Sequence, residues 1–287
     1  MEIVMRYVVL IAVVMVLGCV GAVEAMVPRE EGPRMTDKQF FELLNLDYAG
    51  LEKVKSAVGS GDLAAAKHEF AEYMRNRQKP TPGFDWKARP KHDKRPEGVN
   101  TADADKVMQH ILYSVNVDHK YDGEIDWALN PINYREWPFQ LNRHHIWVAL
   151  ARAYWDTGEE KYAKEFVFQM NDWVKKCPVP VNDSGNKGET WRTIEAGIRM
   201  GHTWPEILYR FLTSPSFDDE SIVTMVKSMA EHAQHLTAHA TTGNWLTMEC
   251  NGLMHVGVLL PEFKDAEAWR KTAMDRMYAE LDKQVYP

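Results

Sequence analysis

From Thr36 to the C-terminus the apolar residues of this chain recur at three- and four-residue spacing, in segments separated mostly by short turns. That period belongs to amphipathic helices, and a chain dominated by it has few architectures open to it. Thr36-Asp37 caps a predicted helix to about Asn45, a second covers 48–58, and Gly59-Ser60-Gly61-Asp62 turns into a third over 63–77. A fourth is predicted over about 102–114. Further on, 140–157 ends at Thr157-Gly158, and 159–176 packs back on it through Tyr162, Phe166, Met170, Trp173 and Val174. A helix from about Thr190 is kinked or restarted by Pro205 and ends near Leu212. The next, Asp218 to about Ala240, carries the stripe Ile222, Val226, Met229, Ala233, Leu236 and Ala240. Gly243-Asn244 opens another, which Pro261 stops, and 264–285 is the last. Short connections force antiparallel neighbours, and with no sheet signal the fold class is all-α. The absence of a repeat at fixed period favours helical hairpins closing toward a ring, an α/α toroid, over a solenoid.

Two stretches break the pattern. Residues 78–100 hold Pro80, Pro82, Pro90 and Pro96 among mixed charges and read as a surface connection. Residues 115–138 carry Asp122-Gly123, Asn130-Pro131 and Trp137-Pro138, and are predicted to be irregular, with room for short strands. Loops this long in a compact domain are functional or disordered, and Trp127, Tyr134 and Trp137 argue against disorder. The organisation expected is a leader (1–25), an N-terminal helical part (26–115) and a toroid core (116–287).

The leader follows from residues 8–20, an apolar run of 13 preceded by Arg6. A membrane-spanning helix needs roughly 20 apolar residues, so this is the hydrophobic region of a secretory signal. Val23-Glu24-Ala25 fits cleavage after Ala25; alternatively Val16-Leu17-Gly18-Cys19 matches a bacterial lipobox and would leave a lipid anchor on Cys19. Either exit takes the protein to the periplasm or beyond, with no spanning segment in the mature chain. Cys177 and Cys250 sit in or beside apolar helical patterns and are expected as buried thiols rather than a disulfide.

There are 34 Lys and Arg against 41 Asp and Glu, a formal charge of −7, with no basic block, which argues against a nucleic-acid partner. Ten Trp and 11 Tyr stand out instead. Such rings fill cores, and they also stack on sugar faces.

Four constellations are candidates for chemistry. His232, His235 and His239 lie within about 60° of arc on one helix, beside its apolar stripe. They read as a solvated face, a polar cleft wall or a metal row; one straight helix rarely converges three histidines on one ion, and no metal or cofactor is expected. Trp137-Pro-Phe-Gln-Leu-Asn142-Arg143-His144-His145 gathers aromatic, amide, guanidinium and imidazole groups at a helix start. Helix N-termini attract anions and Arg grips carboxylate or sulfate bidentately; capping and surface charge are the plainer explanation. In Glu189-Thr-Trp191-Arg192-Thr-Ile-Glu195-Ala-Gly-Ile-Arg199, Glu195 is one turn from Trp191 and from Arg199, and three residues from Arg192. This is either helix support worth about 0.3 kcal/mol per pair or a ligand wall. Thr242-Gly-Asn244-Trp245-Leu-Thr-Met-Glu249 places Asn244 at a helix start, where asparagine ordinarily caps. Asparagine, tryptophan and glutamate at the mouth of a helical ring also suit an anionic sugar.

Three stretches, residues 137–166, 189–200 and 243–287, resemble the heparinase II/III family of polysaccharide lyases, in the order of that family's helical module. The resemblance covers about 120 to 287. It implies an incomplete α/α toroid, followed in complete members by a β-sandwich, and β-elimination on an acidic polysaccharide. In that reaction a uronic-acid C5 proton is removed and the bond to the C4 oxygen breaks, so donors aimed at the neighbouring carboxylate stabilise the charge that develops. Asn244 matches the family's carboxylate-neutralising asparagine. Family members often place histidine directly after it; here Trp245 stands there, removing a donor and supplying a ring for stacking. Trp137, Asn142, Arg143, His144, Trp191, Arg192, Glu195, Arg199 and Glu249 complete the expected substrate-binding set. In the family the run resembling DKQVYP continues to an Asp-Gly turn and then a Tyr-His segment carrying the proton-transfer tyrosine, which Tyr286 does not match. The chain therefore reads as the N-terminal part of a lyase, expected to be inactive or very weak alone. The substrate class stays open among heparan sulfate, another glycosaminoglycan and alginate. Two other classes remain. An inverting α/α glycoside hydrolase would need two carboxylates such as Glu195 and Glu249 about 6.5–9.5 Å apart; a non-catalytic sugar-binding toroid needs neither.

Overall fold

A computed structural model describes residues 31–91, 95–181 and 188–284, which belong to one compact unit beginning at Glu31. The leader and the lipobox at Cys19 lie outside the described residues.

Four helices build the N-terminal part: α1 (Asp37–Leu43), α2 (Glu52–Gly59), α3 (Leu63–Asn76) and α4 (Ala102–Val107). The caps read from sequence form as expected. Thr36 and Gln39 make a reciprocal capping box on α1, and Asp62 accepts from the Ala65 amide at the start of α3. The helix predicted over 102–114 stops early. His110 takes positive φ, and the chain turns into an antiparallel hairpin of β1 (Ile111–Ser114) and β2 (Val117–Lys120). Its two-residue turn, Val115-Asn116, has positive φ at both positions, which matches the strand twist. The boundary drawn at 115/116 falls in this turn.

Among the described residues the regular elements of the second half are helices: α5 (Glu136–Leu141), α6 (His145–Thr157), α7 (Glu160–Lys176), α8 (Thr193–Ile198), a π-helical turn (Arg199–Thr203), α9 (Trp204–Phe211), α10 (Asp219–Ala238), α11 (Gly243–Leu259) and α12 (Ala266–Gln284). The helix predicted over 140–157 is divided, because His144 adopts the left-handed conformation (φ 61°) between α5 and α6. Pro205 restarts a helix at its second position, where its missing N–H costs nothing within the helix. The π turn precedes it, and the Trp204 amide reaches back five residues to the Arg199 carbonyl.

Hairpins α2–α3, α6–α7 and α11–α12 pack in pairs, and α10 bridges α3, α7 and α11. Near the chain's two ends, Leu44 pairs with Phe263 and the Lys264 amide donates to Leu43 O. A buried ion pair, Arg77 Nη1 to Glu262 Oε1 at 2.8 Å, stands behind this contact. The result is the all-α, open-ring arrangement expected of an incomplete toroid. No helix among the described residues is long and apolar enough to cross a membrane. Eight of the ten tryptophans are buried, so most of that unusual composition fills the core; Trp155 and Trp245 are partly exposed. Cys177 and Cys250 are both buried and are not bridged to each other, and burial pushes the Cys250 thiol up to about 11.

Candidate functional site

The segment after α5 and the starts of α8 and α11 meet at one place. What brings α11 there is small side chains. A Cβ on Gly197 would stand 2.5 Å from Met248 O, so only glycine lets α8 and α11 approach this closely. The start of α11 is fixed separately. Gly243 has φ +69°, open to glycine without strain, and its amide donates to Glu280 Oε1 on α12 at 2.8 Å.

Arg192 is the centre of the cluster. Its guanidinium lies 3.3 Å from the Phe139 ring centroid and 5.1 Å from that of Trp245, one ring from α5 and one from α11. Its Nε and Nη2 donate to Glu195 Oε2 and Oε1 at 2.8 and 2.7 Å, and Nη1 lies 3.7 Å from Glu136. Arg143 Nη2 donates to the same Glu195 Oε1 at 3.1 Å. Glu195 is fully buried, so one carboxylate holds two guanidinium groups in register. Arg192 thus commits Nε and Nη2 to Glu195. Arg143, on the turn before α6, keeps its Nε without a partner and its side chain 22% exposed.

Glu249 is a second buried carboxylate, and all its partners are neutral. Thr193 Oγ1, Thr241 Oγ1 and the Thr241 amide donate to it, tying the start of α8 to the turn before α11. Its side chain is buried and occupied by these donors. Asn244 differs from every other polar group here. Thr242, not Asn244, occupies the cap position, and the Asn244 side chain is exposed and makes no hydrogen bond to any described residue. The capping explanation therefore falls away. Asn244, Trp245 and Arg143 are what the sequence-predicted set contributes to the accessible face.

The other members of that set sit behind it. Trp137 is buried, its Nε1 donating to Val117 O of the hairpin. Asn142 is buried and saturated: Nδ2 donates to Trp127 O and Pro138 O, and Oδ1 accepts from Trp173 Nε1. Burial holds the His144 ring well below the usual histidine range; it stacks on Trp147 at 3.8 Å and accepts from Trp204 Nε1. Trp191 is buried with Nε1 on Cys177 O. Arg199 is also buried, against the rings of Trp173 and Trp191, and donates to His232 Nε2 and Asn142 O at 2.7 Å each. Burial lowers its pKa to about 9. These five residues form the packed wall under the site rather than its surface. Their positions in the sequence do not tell which side turns inward.

Two members of the histidine row are likewise internal. His232 Nδ1 donates to Ser228 O while Nε2 accepts from Arg199, a neutral imidazole, and His235 Nε2 donates to Trp191 O. Two of the three are therefore buried in the core, and the solvated-face reading is corrected. Sequence reasoning missed Phe139 and Glu136, which flank Arg192. It also missed His202 and Asn251, whose side chains lie 3.4 Å apart between the π turn and α11. Of the first pair, only Phe139 lay in a stretch already singled out, Trp137 to His145.

The heparinase II/III N-terminus model matches residues 40–287, and the chain belongs to this family. It is similar to a heparin-sulfate lyase of Pedobacter heparinus, 33% identical over 255 residues, covering 86% of this chain and 38% of the relative. A heparin-sulfate lyase of Bacteroides stercoris is 32% identical, covering 98% of this chain and 43% of the relative. The crystal structure of heparan sulfate lyase from Pedobacter heparinus superposes with a TM-score of 0.73 at 32% identity, over 87% of this chain and 40% of that one. The chain thus spans about two fifths of the length of these relatives.

Proposed function

We propose that this chain is the substrate-gripping helical module of an exported lyase that cleaves a uronic-acid polysaccharide of the heparan sulfate class by β-elimination. The observation that carries the reading is the uncommitted Asn244 amide at the N-terminus of α11, beside Trp245 and the Arg192–Glu195–Arg143 array. An amide donor there, aided by the helix dipole, suits a carboxylate whose charge grows as the C5 proton leaves. Arg143 offers a guanidinium to a second acidic group, and Trp245 offers a ring face. The names of the relatives support heparan sulfate over alginate. The N-terminal apolar run supports export toward an extracellular polymer, with or without a lipid on Cys19.

The hydrolase alternative is disfavoured by its own carboxylates. Glu195 and Glu249 are buried and committed to protein donors, so neither is poised to protonate a leaving oxygen or activate water.

The test is a chimera in which this chain replaces the matching part of the Pedobacter heparinus enzyme, acting on heparan sulfate. Unsaturated sugar ends, read by their ultraviolet absorbance, are expected. Asn244→Ala in that chimera should lower kcat by roughly 10²–10³, the range for losing one oxyanion-type donor, with KM little changed. Turnover of the Asn244→Ala chimera equal to that of the parent chimera would refute the role.

A further inference from the structure

A cavity of about 330 Å³ runs along the flank of α6 and begins at His145, two residues after Arg143 of the array described above. Its floor is apolar, with Ala149 and the buried Val148 and Ala153 of α6. Its walls are Asn100 and Asp103 at the start of α4, Tyr113 of β1, and His145 and Arg152 of α6. An apolar floor with a few converging polar groups is the lining of a small-molecule site.

Those polar groups are largely unspent. The Tyr113 hydroxyl, the His145 ring and the Asp103 carboxylate make no hydrogen bond to any described residue. Arg152 uses only Nε, on Glu206 Oε1 at 3.3 Å, and its side chain is 64% exposed. Tyr113 stays a donor, since burial and the nearby Asp103 push its hydroxyl up to about 12. His145 lines the cavity and stands two residues from Arg143 in the chain. After burial, the charges that hold its pKa down are Arg143 and His202 on the site side and Arg152 on the cavity side.

We propose that this cavity is a second sugar-binding subsite, taking one pyranose ring of the same polysaccharide chain that lies across Asn244 and Trp245. The proposal rests on the lyase-module reading. The ring's apolar face lies on Ala149, its hydroxyls meet Asp103 and Tyr113, and any acidic group turns away from Asp103 toward Arg152. His145, at the end of the cavity nearer Arg143, is the step from one subsite to the next. From His145 to Arg152 the helix rises roughly 10 Å, enough length for one pyranose ring.

The experiment titrates the chain with a heparan sulfate disaccharide, an octasaccharide and free glucosamine. It follows the Asn244 side-chain amide, the Ala149 methyl and the His145 ring by NMR. The octasaccharide should shift all three and bind several-fold tighter than the disaccharide. Ala149→Trp, which fills the cavity from the half-buried flank of α6, should cancel that gain and leave disaccharide affinity intact. Tyr113→Phe removes only an unbonded hydroxyl, so it should weaken octasaccharide binding with an unchanged melting temperature. A response of Ala149 to free glucosamine, with no gain from chain length, would keep the sugar site but overturn the chain-spanning source. Octasaccharide shifts at Asn244 with none at Ala149 or His145 overturn the subsite and leave the lyase reading standing. No shift at either place overturns the subsite, and the lyase reading is then decided by the chimera.

Discussion

The backbone of Gly252 on α11 lies so close to that of Gly197 on α8 that a methyl group on Gly252 would stand 2.6 Å from the Gly197 carbonyl oxygen. This contact seats α11, and with it Asn244 and Trp245, against the element that carries Arg192 and Glu195. Gly252→Ala must push the helices apart. It should cost about 1–3 kcal/mol, the usual range for overpacking, and shift Trp245 emission as the ring leaves Arg192. Equal urea midpoints for the two proteins would show that the helices slide without cost.

Glu195 and Glu249 are both buried carboxylates, but they should respond differently to loss of charge. Glu195→Gln leaves two guanidinium groups facing a neutral amide in a poorly solvated place, and should cost about 1–3 kcal/mol. Glu249 accepts only from threonine hydroxyls and a backbone amide, which a glutamine oxygen still serves in part. Glu249→Gln should be the milder change in chemical denaturation. The reverse order would mean the Arg143–Glu195–Arg192 array adds little to folding.

Asn244 separates cap from site by stability alone. Because its side chain makes no cap bond, Asn244→Ala should leave the melting temperature nearly unchanged, whereas a true N-cap would lose about 1 kcal/mol. Asn244→Ser, which preserves capping ability, should melt with the alanine variant. A serine variant clearly more stable than the alanine one would return Asn244 to the helix.

Two neutral, buried histidines give the fold an acid-sensitive side. His144 and His232 have native pKa values well below the usual 6.5, because burial, and then the charge of Arg199, disfavours protonation. Below that value the unfolded chain binds protons that the native protein refuses. Stability is therefore full above about pH 6.5 and falls as pH drops, by up to about 1.4 kcal/mol per pH unit for each such group. Urea unfolding at pH 7.5, 6.5 and 5.5 should show little change over the first interval and a clear loss over the second. A His232→Gln variant that folds should show a shallower loss, and an identical slope would remove His232 from the account.

The helical class, most of the hairpins and the family were written in local sequence. Periods of three and four residues, caps such as Thr36 and Asp62, and stops such as Gly158 and Pro261 act over a few neighbours, so they survive without knowledge of the fold. The sequence also marked the three segments that meet. It was silent on depth. Asn142, His144, Trp191 and Arg199 carry the same side-chain chemistry whether they line a cleft or fill a core, and only packing buried them behind Arg143 and Arg192. The division between Asn244 and its neighbours was settled the same way. At a helix start, asparagine suits cap and ligand equally, and it was the placement of Thr242 at the cap, with Gly243 turned by its bond to Glu280, that left the Asn244 amide uncommitted. Helix spacing is a local property of one chain segment. Which face is covered depends on segments tens of residues away, and here that was decided where Gly197 and Gly252 let two helices touch.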